Sequence, residues 1–143
     1  MRDLEWKDEY LLGIPAVDLQ HQRIFDHIMT MAGGSAKDDA LRAEFATVQL
    51  VDLLREHFAL EESMMRSLCY PEIERHMEEH RQLHASVNDL AQRSLRIKES
   101  LSRAAIQIAQ QWLREHIMVS DRHYVEFFSG LASIGADSER GAT

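Results

Sequence analysis

An all-α, up-down-up-down four-helix bundle with an extended N-terminal arm and a short C-terminal helix is the fold that this sequence predicts. Four segments repeat apolar residues three and four positions apart, no segment keeps the two-residue period of a strand, and short connections separate the segments. At 143 residues the chain is long enough for one domain with its own core, and no linker-like stretch or internal repeat divides it.

Residues 1–17 lack a helical period and carry Gly13 and Pro15, so they read as an arm docked through Trp6, Tyr10, Leu12 and Ile14. Asp18 suits an N-cap for the first helix, whose stripe of Ile24, Phe25, Ile28 and Met31 ends at Gly33-Gly34. A second helix from Asp38 or Asp39 turns Phe45, Leu50, Leu54, Met64, Met65 and Leu68 to one side and stops before Tyr70-Pro71. Pro71 fits the first turn of a third helix with Ile73, Leu83, Val87, Leu90 and Leu95 inside. The fourth begins near Ser100 or Ser102 and runs through Leu101, Ala105, Ile108, Ala109 and Trp112, with a break expected near Ser120 or Asp121. A short helix over 122–134, with Tyr124, Phe127, Phe128 and Leu131, completes the bundle (18–134), and the polar residues 135–143 are expected to form a disordered tail.

Bulk properties narrow the function. The net charge of −8 without a basic stripe argues against nucleic acid as a partner. No apolar run approaches the roughly 20 residues of a membrane span, and the acidic N-terminus lacks a signal-like apolar core. With a single cysteine, Cys69, these features place the chain in the cytoplasm.

Five histidines and two carboxylates interrupt the inner stripes: His21, His57, Glu61, His76, His80, His116 and Asp121. Residues four apart on a helix differ by about 40° in direction, so His57 with Glu61, and His76 with His80, can each aim two donors at one centre. One such pair means little, since random placement gives roughly one His-x-x-x-Glu and about half a His-x-x-x-His at the spacing that matters. Donors on the inner face of every helix are a different matter, because polar groups there need partners and metal ions would satisfy all seven.

Seven N/O donors exceed one tetrahedral zinc, whereas imidazole mixed with carboxylate suits a pair of iron ions in a bundle core. With Glu61 and Asp121 each bridging both metals, and a solvent-derived oxo or hydroxo bridge, eleven of twelve octahedral positions are filled, leaving one for a diatomic ligand such as O2. Five neutral donors favour Fe(II) over Fe(III) and reversible binding over O–O cleavage. His116 and Asp121 are five apart, about 140° on a regular helix, so a local distortion over 117–121 is required for both to face the site.

The chain resembles the bacterial hemerythrins, non-haem di-iron oxygen-binding four-helix bundles. The resemblance covers about residues 6 to 128: the arm from Trp6 through Gly13-Ile14 to Val17-Asp18 and Gln20-His21, then His57-Phe58, Glu61-Glu62, Tyr70-Pro71, His76, His80, Trp112-Leu113, His116-Ile117, Asp121 and Tyr124. It implies that His76, His80 and His116 bind one iron (Fe2+/Fe3+), His21 and His57 the other, with Glu61 and Asp121 bridging and O2 adding at the two-histidine iron. Ile24, Phe58, Met65, Leu113 and Ile117 would line the oxygen pocket, although core packing explains them equally well.

Spacing alone leaves His80 with His84 as good a pair as His76 with His80; distance from Tyr70-Pro71 in the resemblance selects the latter and leaves His84 a structural histidine. His27 and His123 fall off the inner stripes and are expected to be solvated. Trp112 reads as a core anchor and Cys69 as a buried, inert thiol in a turn that is strained if it needs positive φ. The leading function is O2 carriage, storage or delivery by a monomer with an oxygen-consuming or signalling protein as partner. Sensing through a partner, and peroxide or NO chemistry at the same centre, are the alternatives.

Overall fold

The computed structural model describes residues 5–33, 40–94 and 101–141. A 3₁₀ turn, Asp8–Tyr10, lies in the arm, which docks through Trp6 edge-on to Tyr10 and Phe25 at centroid distances of 5.4 and 5.9 Å. Helix α1 (Pro15–Gly33) starts at Pro15, earlier than the sequence suggests, because proline fixes a helical φ and has no amide to leave unpaired. Asp18 therefore sits a turn inside the helix. Its carboxylate reaches back to accept from the amides of Leu12 at 2.8 Å and Gly13 at 3.1 Å, tying down the arm where Gly13 adopts φ +89.

Helix α2 (Ala40–Ser67) leaves the expected start at Asp38 or Asp39 outside the described residues. It ends in a Schellman motif: the amide of Tyr70 donates to the carbonyl of Met65 and that of Cys69 to Arg66, with Cys69 at φ 55. Met65 and Tyr70 then meet in one apolar cluster, and Pro71 prevents the helix from continuing. Two residues expected on the buried side of α2 are exposed, Phe45 at 64% and Leu68 at 43%. Phe45 precedes Leu50 by five residues, about 140° around the helix, and Leu68 lies beyond the last helical residue.

Helix α3 (Ile73–Ser94) turns Leu83, Val87 and Leu90 inward, and Leu95 lies outside the described residues. Helix α4 (Leu101–Gln111) passes without interruption into a π-helical stretch, Trp112–Asp121, and then into α5 (Arg122–Gly141). Ser100 and the side chains of Leu101 and Ala105 lie outside the described residues. The expected break near Ser120 is absent: the backbone widens there instead of stopping. Backbone helix also continues past 134 to Gly141, against the expected tail over 135–143, because no proline intervenes and an isolated glycine costs only about 1 kcal/mol.

Helix α1 packs on α2 and α4, and α3 on α2 and α4, so each helix neighbours the next and the first closes on the fourth. The larger apolar cluster contains Ile24, Phe25, Ile28, Leu50, Leu54, Phe58, Leu83, Val87, Trp112, Leu113 and Ile117. A smaller one gathers Met65, Tyr70 and Tyr124, with Ile14, Ile73 and Phe128 against it. The interrupting polar residues fall between Leu54 and Met65 on α2, between Ile73 and Leu83 on α3, and between Leu113 and Tyr124 on the continuous last helix, while His21 precedes Ile24 on α1, which feeds the larger cluster. They form a polar layer enclosed at both ends by apolar side chains. Among the described residues no helix is long and apolar enough to cross a membrane.

Candidate metal centre

All seven predicted donors converge in that layer, and all are buried. Two groups arise, with the donor atoms of each within 4.8 Å of one another: His76, His80, His116, Glu61 and Asp121, and His21, His57, Glu61 and Asp121. Both carboxylates belong to both groups. Asp121 Oδ1 stands 3.0 Å from His76 Nε2 and 3.1 Å from His116 Nε2, while Oδ2 is 3.0 Å from His21 Nε2. Glu61 Oε2 lies 3.3 Å from His76 Nε2, and Oε1 touches His57 Nε2 and lies 3.7 Å from His21 Nε2. His80 and His116 bring their Nε2 atoms to 3.1 Å.

Local backbone explains each placement. The α-helical i,i+4 relation aligns His57 with Glu61 and His76 with His80. The wider π turn, closed by i→i+5 bonds, puts Asp121 on the face of His116, five residues earlier.

His21 Nε2, His57 Nε2, His76 Nε2 and all four carboxylate oxygens of Glu61 and Asp121 are buried without a well-formed hydrogen bond. Leaving so many polar atoms unsatisfied costs roughly 1–3 kcal/mol each. Cations within the two groups would accept all of these lone pairs, so the donor set fits metal binding on the geometry of this chain. The outer ring nitrogens are held from behind: His57 Nδ1 by Gln20 Oε1 at 2.7 Å, His80 Nδ1 by Glu62 Oε1 at 3.1 Å, and His116 Nδ1 by Glu79 Oε2 at 3.2 Å. A proton on Nδ1 leaves Nε2 free to face inward as a donor.

Burial lowers the pKa of His21 and His76, yet the negative charges of the nearby Asp121 and Glu61 carboxylates outweigh it and raise both to about 9. His116 rises to about 10 by the same contest, in which Asp121 dominates. His80, desolvated and facing charged His116 and His76, falls to about 3. Burial pushes Glu61 and Asp121 up, but the surrounding imidazoles hold both below the ordinary carboxylate range. Without metal the cluster thus stores protons on histidines that metal would displace.

Apolar side chains enclose the layer. Phe58 stacks on His80 at 4.0 Å and 13°, and Trp112 stands edge-on to His21 and His57 at 5.4 and 6.1 Å. Ile24, Met65, Leu113 and Ile117 are buried too, and Met65 belongs to the smaller cluster rather than to the one that holds the other four pocket candidates.

Other sequence expectations resolve variously. His84 lies outside both groups and hydrogen-bonds Asn88 at 3.2 Å. His123 is exposed as expected, but His27 is not simply solvated: its Nε2 donates to the carbonyl of Ala46 at 2.6 Å. Cys69 has the positive φ foreseen for its turn, yet its thiol is exposed rather than buried, because the C-terminal cap turns that residue outward. Sequence reasoning missed Gln20, Glu62 and Glu79, each next to a donor in sequence, which adjacency could have flagged. It also read Tyr124 only as an apolar contact. The Tyr124 ring packs 5.4 Å from His76, and its buried hydroxyl lacks a well-formed hydrogen bond; burial first, then Glu61 and Asp121, push its pKa up.

The sequence profile of the hemerythrin HHE cation-binding domain matches residues 12–128. Similar proteins include a bacteriohemerythrin of Pseudomonas paraeruginosa, 30% identical over 127 residues that cover 88% of this chain and 82% of that protein. A bacteriohemerythrin of Stenotrophomonas maltophilia is 29% identical over 127 residues, covering 86% of this chain and 80% of its own. A myohemerythrin of Theromyzon tessulatum is 26% identical over 120 residues, covering 84% and 89%.

Proposed function

The chain belongs to the hemerythrin family, and on that premise we propose that it binds O2 reversibly at a non-haem di-iron centre, for oxygen carriage, storage or delivery. His76, His80 and His116 hold one iron and His21 and His57 the other. Glu61 and Asp121, members of both donor groups, would be shared between the two metals. The observation that supports this most is the membership of both carboxylates in both donor groups, in a layer where their oxygens are buried and unsatisfied.

When bound, the iron pair would supply two electrons to a diatomic ligand. The chain supplies the rest. Five neutral imidazoles keep the donor set low in anionic charge, and the hydrogen bonds that His57, His80 and His116 donate through Nδ1 to Gln20, Glu62 and Glu79 orient those rings. Ile24, Phe58, Met65, Leu113 and Ile117, all buried, would line the oxygen pocket and keep bulk water from it.

An anaerobic optical titration of the diferrous protein with O2, followed by degassing, tests this reading. A visible band that appears with O2 and disappears on degassing, at two irons per chain, is expected. Rapid permanent oxidation contradicts carriage and points to sensing or enzymatic use.

A further inference from the structure

The hydrogen bonds behind the imidazoles differ between the two donor groups. In the group of His76, His80 and His116, two rings are backed by carboxylates, His80 by Glu62 at 3.1 Å and His116 by Glu79 at 3.2 Å. In the group of His21 and His57, His57 is backed by the neutral amide oxygen of Gln20 at 2.7 Å, and His21 Nδ1 is buried without a hydrogen bond.

The three bonds do the same geometric work, since each directs Nε2 inward. They differ in charge. An anionic acceptor draws the Nδ1 proton toward itself and raises the electron density of the ring, making it a stronger donor to metal; an amide oxygen does so far less. Stronger donors favour the higher oxidation state of the metal they hold.

We propose that this asymmetry sets the redox order of the two metals: Glu62 and Glu79 act through His80 and His116 to make the three-histidine metal the first to be oxidised. Gln20 keeps the two-histidine metal the more electron-poor of the pair and the slower to lose an electron. Both glutamates are positioning residues, and the inference rests on the di-iron reading above. The step is a one-electron transfer in which Fe(II) beside His76, His80 and His116 becomes Fe(III) and an external acceptor, ferricyanide in the test, is reduced to ferrocyanide. No bond within the chain forms or breaks.

Glu62→Gln and Glu79→Gln keep side-chain size and an acceptor oxygen while removing the charge, and Gln20→Glu adds one on the other side. Each protein is loaded with iron, assayed for metal, and titrated anaerobically with ferricyanide against redox mediators. Iron stays at two per chain, the first midpoint potential rises in each Glu→Gln variant and rises further in the double variant, and Gln20→Glu lowers the potential of the second metal. In the one-electron-oxidised wild type, pulsed electron-nuclear double resonance finds three imidazole nitrogens on the ferric ion. Unmoved potentials at full iron content, or two nitrogens on the ferric ion, overturn the proposal and leave the di-iron reading intact. Failure of the wild type to hold two irons overturns both. If one Glu→Gln variant does not fold, the other and Gln20→Glu carry the test.

Discussion

Asp121 touches His21, His76 and His116 at once, so it joins α1, α3 and the fourth helix in a single contact set. Removing it takes away a donor shared by both groups, whereas His84, one turn from His80, lies outside both groups and hydrogen-bonds Asn88. We therefore expect Asp121→Ala to lose most bound iron, with a drop of at least half by elemental analysis, and His84→Ala to keep its full complement; the reverse pattern would reject the donor assignment. At this scale the donors were legible because imidazoles and carboxylates on an apolar stripe have no other ready partner. Gln20, Glu62 and Glu79 were legible only as sequence neighbours of donors, since polar residues beside a stripe are ordinarily solvated and only the packed helices reveal which ring each one meets.

Between helices, the turn after α2 carries local backbone strain at Cys69, and the π stretch departs from α-helical pitch. Cys69 occupies the left-handed position of a Schellman cap at φ 55, where a side chain costs about 1–2 kcal/mol. Glycine relieves that cost but adds about 0.5–1 kcal/mol of unfolded-state entropy. Cys69→Gly should stabilise the chain by a net ~0.5 kcal/mol, seen as a higher urea midpoint at unchanged slope; a lower midpoint would show that the thiol contributes packing. Tyr70-Pro71 announced the end of α2 because proline leaves few alternatives. The π stretch was only half legible. The five-residue gap between His116 and Asp121 demanded a distortion, but local residue preferences could not tell a widened helix from a broken one, and packing of Trp112, Leu113 and Ile117 inside the bundle keeps the backbone helical.

Across the whole molecule, the polar layer between two apolar clusters makes stability depend on what occupies it. In the metal-free chain His21, His76 and His116 have pKa values raised from 6.5 to about 9, 9 and 10. A raised folded-state pKa contributes stability that is complete below pH 6.5 and is lost as pH climbs through those values. The metal-loaded chain should behave oppositely, because metal binds the deprotonated imidazoles and gains as protons become scarce. Urea midpoints taken upward from pH 6.5 should fall for the metal-free protein and hold or rise for the loaded one; parallel profiles would mean that these histidines do not bind the metal. Bundle architecture was readable from four apolar periods, while the enclosure of the polar layer at both ends needed the packed structure. X-ray absorption at the iron edge of the loaded protein addresses the two-metal centre most directly: an iron–iron vector with five imidazoles shared between two irons is predicted, and isolated irons with no such vector would contradict it.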